Sequence, residues 1–294
     1  MPDNLSVTAY AKINLSLDIT GTRPDGYHTL STVMQSIDLH DTLSVEKFIA
    51  NDDEPRIVLE INDDELPTDS SNTAFRAAQE FFNYTEIKEY GVKIKIRKNI
   101  PVKAGLGGGS SDAAAVIYAM NKLFCTALEL EEMIDIATEV GMDVPFCLKG
   151  GTQLAEGVGA ILTPLPDIDG YTFLIVKADE KGSTAEMYKK FDELDEVEHP
   201  YTAEIVNLIC EGEVIKAASF YDNVFAPLWG ENFKKIKRAL KDGGAINAIL
   251  TGSGPSIVGI FADEDDARRC KAMIDDTYDE VYLCSPVDCG IEER

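Results

Sequence analysis

The stretch Pro101-Val102-Lys103-Ala104-Gly105-Leu106-Gly107-Gly108-Gly109-Ser110-Ser111-Asp112-Ala113-Ala114 decides how the rest of the chain is read. Three consecutive residues without side-chain bulk, Gly107 to Gly109, let a backbone approach a ligand closely and aim several N–H groups at one point, which makes an anion site. An alanine-rich helix running to about Phe124 follows. If that helix starts at Ser110 or Ser111, its unpaired N–H groups and positive dipole end reinforce the site, and the two hydroxyls add donors or a magnesium contact. The ligand such a loop calls for is a nucleotide polyphosphate. A flexible surface loop with a Ser/Asp helix cap is the plainer alternative, and the helix directly behind the glycines counts against it.

Two familiar glycine patterns do not fit. A Walker A loop ends in Gly-Lys-Ser/Thr, and no lysine lies between Gly105 and Lys122. The dinucleotide fingerprint G-x-G-x-x-G matches Gly105 and Gly107 and then meets Ser110, while Ile100-Pro101 ahead of it reads as loop. A serine hydrolase is no better supported, since no G-x-S-x-G occurs and only His28, His40 and His199 would serve as base. A second glycine loop, Thr251-Gly252-Ser253-Gly254-Pro255, lies between two apolar β-type runs. Alone it is an ordinary tight turn; together with the first loop it offers backbone donors to another part of the same ligand.

Outward from the glycines, residues 9–19 alternate strictly, with Ala9, Ala11, Ile13, Leu15, Leu17 and Ile19 on one side and Lys12, Asn14, Ser16 and Asp18 on the other. This predicts a strand. Thr22-Arg23-Pro24-Asp25-Gly26 then makes a turn before Tyr27-His28. Further β-type runs stand at 43–49, 56–61 and 92–96, with an amphipathic helix over 72–82 behind a Ser/Asn cap. Past the glycine loop a second helix, 129–140, ends at Gly141, and Met142-Asp143-Val144-Pro145-Phe146 leads to a glycine turn at Gly150-Gly151. The remainder gives strands near 173–176, 248–250, 256–261 and 280–284, and helices near 185–191, 202–210, 232–241 and 264–274. The class is α+β, and a boundary near 155–170 divides the chain into two domains, 1–160 and 161–294.

The 294 residues carry 27 basic against 52 acidic side chains, a formal net charge of −25, and 45% are hydrophobic. Such a chain is globular, and its charge repels nucleic-acid backbones and anionic membranes while still allowing a locally positive pocket. The acid-rich runs Asp52-Asp53-Glu54, Asp63-Asp64-Glu65 and 193–198 read as solvated loops. Six dispersed cysteines without metal-ligand spacing are expected to be buried reduced thiols. Met1-Pro2-Asp3-Asn4-Leu5-Ser6 lacks an export pattern and no run of about 18 apolar residues occurs, so a cytoplasmic protein is expected.

The quoted stretch resembles the ATP-binding loop of the GHMP small-molecule kinases, and Leu250-Thr251-Gly252-Ser253-Gly254-Pro255-Ser256 resembles their C-terminal glycine motif. Ala11-Lys12-Ile13-Asn14-Leu15, Arg23-Pro24-Asp25-Gly26-Tyr27-His28 and Gly141-Met142-Asp143-Val144-Pro145-Phe146 are similar to the 4-diphosphocytidyl-2-C-methyl-D-erythritol kinases of the non-mevalonate isoprenoid pathway. The match runs in order over nearly the whole chain. It departs at Lys103, where many relatives have a small residue, at Met142, where alanine is commoner, and it is loose over 185–220.

What the resemblance implies is a two-domain GHMP kinase fold with the active site in the interdomain cleft. ATP would lie over residues 101–111 with magnesium beside it, and the phosphate would pass to the 2-hydroxyl of the cytidine compound. Asp143 would be the base and Lys12 its neighbour, keeping the carboxylate ionised and stabilising charge as the alcohol attacks. Asn14, on the same strand face as Lys12, is suited to bonding the polyol or to aligning Lys12. Tyr27 and His28 offer a pyrimidine a π-face and a hydrogen-bonding ring, Tyr188 would stack on the other side, and Gly252 joins the substrate site from the second loop. Lys103 either adds charge near the phosphates or points to solvent. The rival readings are another GHMP kinase, acting on homoserine, mevalonate or a sugar, and a catalytically silent paralogue that binds nucleotide. Small molecules are the only partners expected, with the chain a monomer or homodimer.

Overall fold

The computed structural model describes residues 3–51, 54–178 and 183–294. Asp52 and Asp53 of the first acidic run lie outside the described residues.

The alternating strand is longer than its pattern. Strand β1 spans Asn4–Thr22 and returns through a turn closed by the Gly26 N–H donating to the Arg23 carbonyl at 2.9 Å, into β2, His28–Ile49. Only residues 43–49 of β2 are legible as strand in the sequence. Its residues 32–37 are buried without a break, and a strand covered on both faces loses the polar alternation that would betray it. The same holds for the polar side of β1, where Lys12, Asn14, Ser16 and Asp18 are all buried.

The first half continues with β3 (Ile57–Ile61), α1 (Thr73–Thr85), β4 (Tyr90–Arg97), α2 (Gly108–Phe124), α3 (Leu130–Val140), α4 (Val144–Lys149), β5 (Thr152–Gly157) and β6 (Ile161–Pro164). The second adds β7 (Thr172–Lys177), α5 (Thr184–Asp192), α6 (Thr202–Cys210), α7 (Val214–Ala218), β8 (Asp222–Asn223) and α8 (Glu231–Asp242). It closes with β9 (Asn247–Leu250), β10 (Ser256–Phe261), α9 (Glu264–Ile274), β11 (Val281–Cys284) and β12 (Ile291–Glu293). Asn72 caps α1, its side chain accepting from the Ala74 N–H.

Two sheets organise these elements. The first has the order β12-β1-β2-β4-β3, and β2 also takes β5 along its Leu30–Gln35 half while β4 pairs with Thr42–Ile49. The β5–β6 hairpin carries this sheet past residue 160 to Pro164, and β8 and β12 join it from the C-terminal half. The second sheet is β11-β7-β10-β9. Three apolar cores result, and β1 threads all of them. Val7 and Ala9 belong to the core with α1, α2 and α3; Ala11, Ile13 and Leu15 to the layer between the sheets; Leu17 and Ile19 to the core under α8 and α9.

The cysteines divide. Cys147, Cys270 and Cys284 are buried as expected, but Cys125 and Cys210 are exposed and Cys289 is half-buried. Cys125 stands just past the end of α2 in a left-handed conformation, where a turn residue faces water.

The C-terminal segment is wedged against the end of α4. A Cβ on Gly290 would stand 1.9 Å from the Cys147 carbonyl oxygen, and the Gly290 carbonyl accepts from the Tyr10 N–H at 3.0 Å. Gly290→Ala is therefore expected to destabilise the protein by about 2 kcal/mol or more, because backbone and not a flexible side chain must give way. A urea midpoint equal to the parent's would show that the wedge is dispensable.

Candidate active site

Lys12 sits between two register shifts of β1, at Tyr10/Ala11 and Asn14/Ser16, which re-aim the side chains between them. Its backbone N–H leaves the sheet and donates to the Leu106 carbonyl of the glycine loop at 3.0 Å. The side chain is buried, so its ammonium must be partnered. It donates to Asn14 Oδ1 at 2.9 Å and pairs with Asp143 Oδ2 at 3.3 Å. Asp143 occupies the cap position of α4 but its carboxylate makes no capping bond, and the side chain is 42% exposed against 5% for Lys12. A carboxylate serving only its own helix end would have been spent on that end.

Asn14 is bonded through its amide oxygen, one of its two amide N–H donors and its backbone N–H. Its Oδ1 also accepts from the Gly252 N–H at 3.0 Å, its Nδ2 donates to Thr32 Oγ1 at 2.8 Å, and its own N–H donates to Thr251 Oγ1 at 2.9 Å. Of the two roles expected of Asn14, aligning Lys12 is the one these bonds support. Gly252 lines the cleft, but its N–H is engaged by Asn14 and is not a free donor to a ligand. The two glycine loops touch directly: a Cβ on Gly105 would meet the Thr251 carbonyl oxygen at 2.7 Å, and Gly105 has φ +77°.

Helix α2 starts at Gly108, two residues before the expected serines, with Gly107 as a left-handed cap. Ser110 stays half-exposed where two clefts meet. Ser111 does not reach them; it is buried and its hydroxyl donates to the Tyr10 carbonyl at 2.7 Å. One cleft, about 370 Å³, is lined by residues 101–110 together with Lys98 and Asp112, and Lys103 is exposed on its rim. The other, about 500 Å³, takes walls from both halves of the chain: Lys12, Asn14, Tyr27, His28 and Asp143 from the first, Thr184, Tyr188, Gly252 and Ser253 from the second. Gly105, Gly107 and Ser110 line both clefts.

At the far end of the larger cleft Tyr27 is 62% exposed and offers an open ring face. His28 does not face Tyr188 across a gap; their rings stack on each other, centroids 4.9 Å apart, and His28 Nε2 lies 2.8 Å from Asp192 Oδ1. A flat ligand has no room between those two rings, so a base would lie against Tyr27. Burial first, and then the charge of Asp143, push the Tyr188 hydroxyl up to about 12, which keeps it protonated beside the carboxylate. Thr32, Asp192 and Lys98 are not legible as site residues, because a threonine in a strand, an acid in a loosely matched stretch and a lysine at a strand end carry no local signature; Thr251 and Asp112 stand within the quoted glycine stretches, but nothing local shows the bonds they make. Among the described residues no group of three or more His, Cys, Asp or Glu is placed to hold a metal ion, and no helix is long and apolar enough to cross a membrane.

The family profile for the GHMP kinases N terminal domain matches residues 72–151, and that for the GHMP kinases C terminal domain matches 214–280. The chain is 40% identical to a 4-diphosphocytidyl-2-C-methyl-D-erythritol kinase of Clostridium tetani, over 96% of this chain and 100% of that one. It is 40% identical to the kinase of the same name from Thermoanaerobacter pseudethanolicus, over 98% of each. Among solved structures, a 4-(cytidine 5'-diphospho)-2C-methyl-D-erythritol kinase superposes with TM-score 0.77 at 27% identity, covering 96% of this chain and 99% of that one. A homoserine kinase from Cytophaga hutchinsonii, at TM-score 0.78 and 20% identity over 100% of this chain and 98% of that one, shares the fold.

Because Asn14 holds the Lys12 ammonium, the Gly252 N–H and Thr32 at once, Asn14→Ala leaves buried polar groups unpaired. It is expected to cost about 2 to 3 kcal/mol of stability. Chemical denaturation monitored by tyrosine and tryptophan fluorescence reads the loss; a change below about 0.5 kcal/mol would mean water replaces the amide without penalty.

Proposed function

Since the chain belongs to the GHMP kinases and, within them, to the 4-diphosphocytidyl-2-C-methyl-D-erythritol kinases, it is an ATP-dependent small-molecule kinase, and we propose that Lys12 and Asp143 carry its phosphoryl transfer. The acceptor is the 2-hydroxyl of 4-diphosphocytidyl-2-C-methyl-D-erythritol. The observation that carries the reading is the Lys12–Asp143 pair, 3.3 Å apart, beside the start of α2 in a cleft that also holds Tyr27 and His28.

Phosphorylating an alcohol needs its oxygen in line with the γ-phosphorus, relief of the phosphate charge and an acceptor for the hydroxyl proton. The free N–H groups of the first turn of α2 and the loop ahead of it take the phosphates. Asp143, exposed to the cleft, accepts the proton as the substrate oxygen attacks; the β–γ phosphoanhydride bond breaks and ADP leaves. The Lys12 ammonium, fixed by Asn14, stabilises charge at the point of transfer. Ser110, which lines both clefts, would be the contact for a magnesium ion arriving with ATP, and that ion would supply further neutralisation of the phosphates. Tyr27 gives the pyrimidine a stacking face and the turn at His28 a polar edge. We also infer that the enzyme works in the cytoplasm on small molecules alone, as a monomer or homodimer, its charge of −25 disfavouring nucleic acid and anionic membrane. The two domains are taken as residues 1–160 and 161–294, with the β5–β6 hairpin bridging them.

A coupled assay of ADP release with and without the cytidine substrate tests the assignment: release should require that substrate, and release driven instead by homoserine or mevalonate would leave a kinase with a different acceptor. In this assay Asp143→Asn is expected to lower turnover by roughly two orders of magnitude while nucleotide affinity survives. Near-parent turnover in a folded Asp143→Asn protein would remove Asp143 from the mechanism. Replacing Tyr27 and His28 together with alanine should raise the Michaelis constant for the cytidine compound by about tenfold or more and leave that for ATP close to the parent's. The opposite pattern would exchange the two ligand sites.

A further inference from the structure

His28 opens β2 opposite Thr22 of β1, so the sheet fixes its backbone and only its ring is left to be placed. Two aromatic neighbours set the plane of that ring: Tyr188 stacks on it at 4.9 Å and Phe191 meets it edge-on at 6.2 Å. Neither can tell one edge of an imidazole from the other, because a half-turn about the bond to the ring keeps its plane while putting carbons where the nitrogens were. Asp192 can. Its Oδ1 lies 2.8 Å from His28 Nε2, and it is the one hydrogen-bonding partner of the ring among the described residues.

The helix does not account for an acid at this position. Asp192 is the last residue of α5, where the helix dipole presents its negative end and disfavours a carboxylate. Its side chain is 54% exposed against 10% for His28, and its one side-chain hydrogen bond among the described residues is the bond to that ring.

A neutral imidazole has one N–H and one bare nitrogen. With Nε2–H donating to Asp192, Nδ1 is left as an acceptor, on a ring that lines the cleft beside the open face of Tyr27. An acceptor at the polar edge of a pyrimidine suits the 4-amino group of cytosine, which donates, and opposes the 4-oxo group of uracil, which only accepts. Resting on the reading of Tyr27 and His28 as the pyrimidine end of the cleft, we propose that Asp192 is a positioning residue that fixes the orientation and tautomer of His28 and thereby sets the preference for a cytidine over a uridine substrate. Asp192 touches no reacting atom, and no bond or proton changes hands at it. Its effect falls on substrate binding and base choice, and the transfer step at Lys12 and Asp143 is left alone.

Steady-state kinetics of the full-length enzyme with the cytidine compound and with its uridine counterpart test this. Asp192→Ala is expected to raise the Michaelis constant for the cytidine compound by about tenfold, to keep turnover within about twofold of the parent's, and to lower the cytidine-over-uridine ratio of kcat/KM by about tenfold. Asp192→Asn keeps an acceptor oxygen for Nε2–H and should hold that ratio within about threefold of the parent's. A ratio that Asp192→Ala leaves unchanged overturns the proposal, and so does Asp192→Asn falling as far as Asp192→Ala, since the charge and not the acceptor would then be what counts. A loss confined to the packing of α5 would weaken both substrates alike. Long-range proton–nitrogen NMR of the histidine-labelled parent, with His28 identified by its absence in His28→Gln, reads the ring directly. At the pH of the assay a proton on Nε2 alone is expected, with an Nδ1 signal that moves when the cytidine compound is added. A proton on Nδ1, or an Nδ1 signal that does not move, overturns the proposal even where Asp192→Ala fails to fold. A parent that does not phosphorylate the cytidine compound defeats the substrate assignment and this proposal together, whereas turnover without base preference defeats this proposal alone.

Discussion

A lysine whose ammonium is shut away from water must be met by acceptors of fixed position, and Lys12 is that constraint here. Its two acceptors come from different places in the chain, Asn14 on the same strand and Asp143 at the head of α4. Satisfying it therefore fixes more than a side chain. The backbone of Lys12 is bonded to the first glycine loop through Leu106, and the Asn14 oxygen that accepts from Lys12 also accepts from Gly252 in the second. One buried charge ties β1, α4 and both glycine loops into a single arrangement, in which displacing any member leaves a polar group unpaired in the interior.

Around that centre the two clefts divide the work. The start of α2 faces both, so a group moved from one cleft to the other passes the helix N-terminus where negative charge is most favoured. Across the larger cleft, α5 is tied at both ends: Thr184 Oγ1 lies 3.0 Å from Ser253 Oγ, and Asp192 meets His28 at 2.8 Å. Between those ties Tyr188 packs on His28 and edge-on to Phe225 at 5.0 Å. The second half of the chain thus closes over a site whose central charged pair, Lys12 and Asp143, comes from the first.

The sequence reveals those parts of this design that are punctuated. Helices 202–210 and 264–274 and strand 256–261 are found at their observed ends because the apolar pattern starts and stops there, with Asp263 capping the second helix. The glycine loop is legible because three glycines run directly into a helix, which counts against a plain surface loop. What escapes is whatever long-range burial decides. The first half of β2, covered on both faces, has no alternation to read, and β12 pairs with β1 from the opposite end of the chain. Within the site, the direction a side chain takes depends on contacts that local sequence does not show. Ser111 turns inward because α2 starts earlier than its serines suggest, and Gly252 gives its N–H to Asn14 because two loops far apart in sequence abut. His28 and Tyr188 stack on each other, a pairing across residues 160 apart in sequence that no local pattern foretells.

On the roles proposed for Lys12 and Asp143, the unequal exposure of the central pair follows from what each member has to do. A cation that stabilises developing charge is most effective where water cannot compete and where it does not have to reorganise, which is the position of Lys12, held between fixed acceptors. A base must instead be reached by the proton it accepts, so its carboxylate has to open onto the cleft, and Asp143 does so by leaving its own helix end uncapped. Were both buried, the pair would be a structural ion bridge closed to substrate; were both exposed, the ammonium would be hydrated and loosely placed. Burying one and exposing the other keeps the attraction that aligns them while leaving a free carboxylate oxygen for chemistry, and the short helix α4, begun at Val144-Pro145 directly after Asp143, is what holds that oxygen at the cleft.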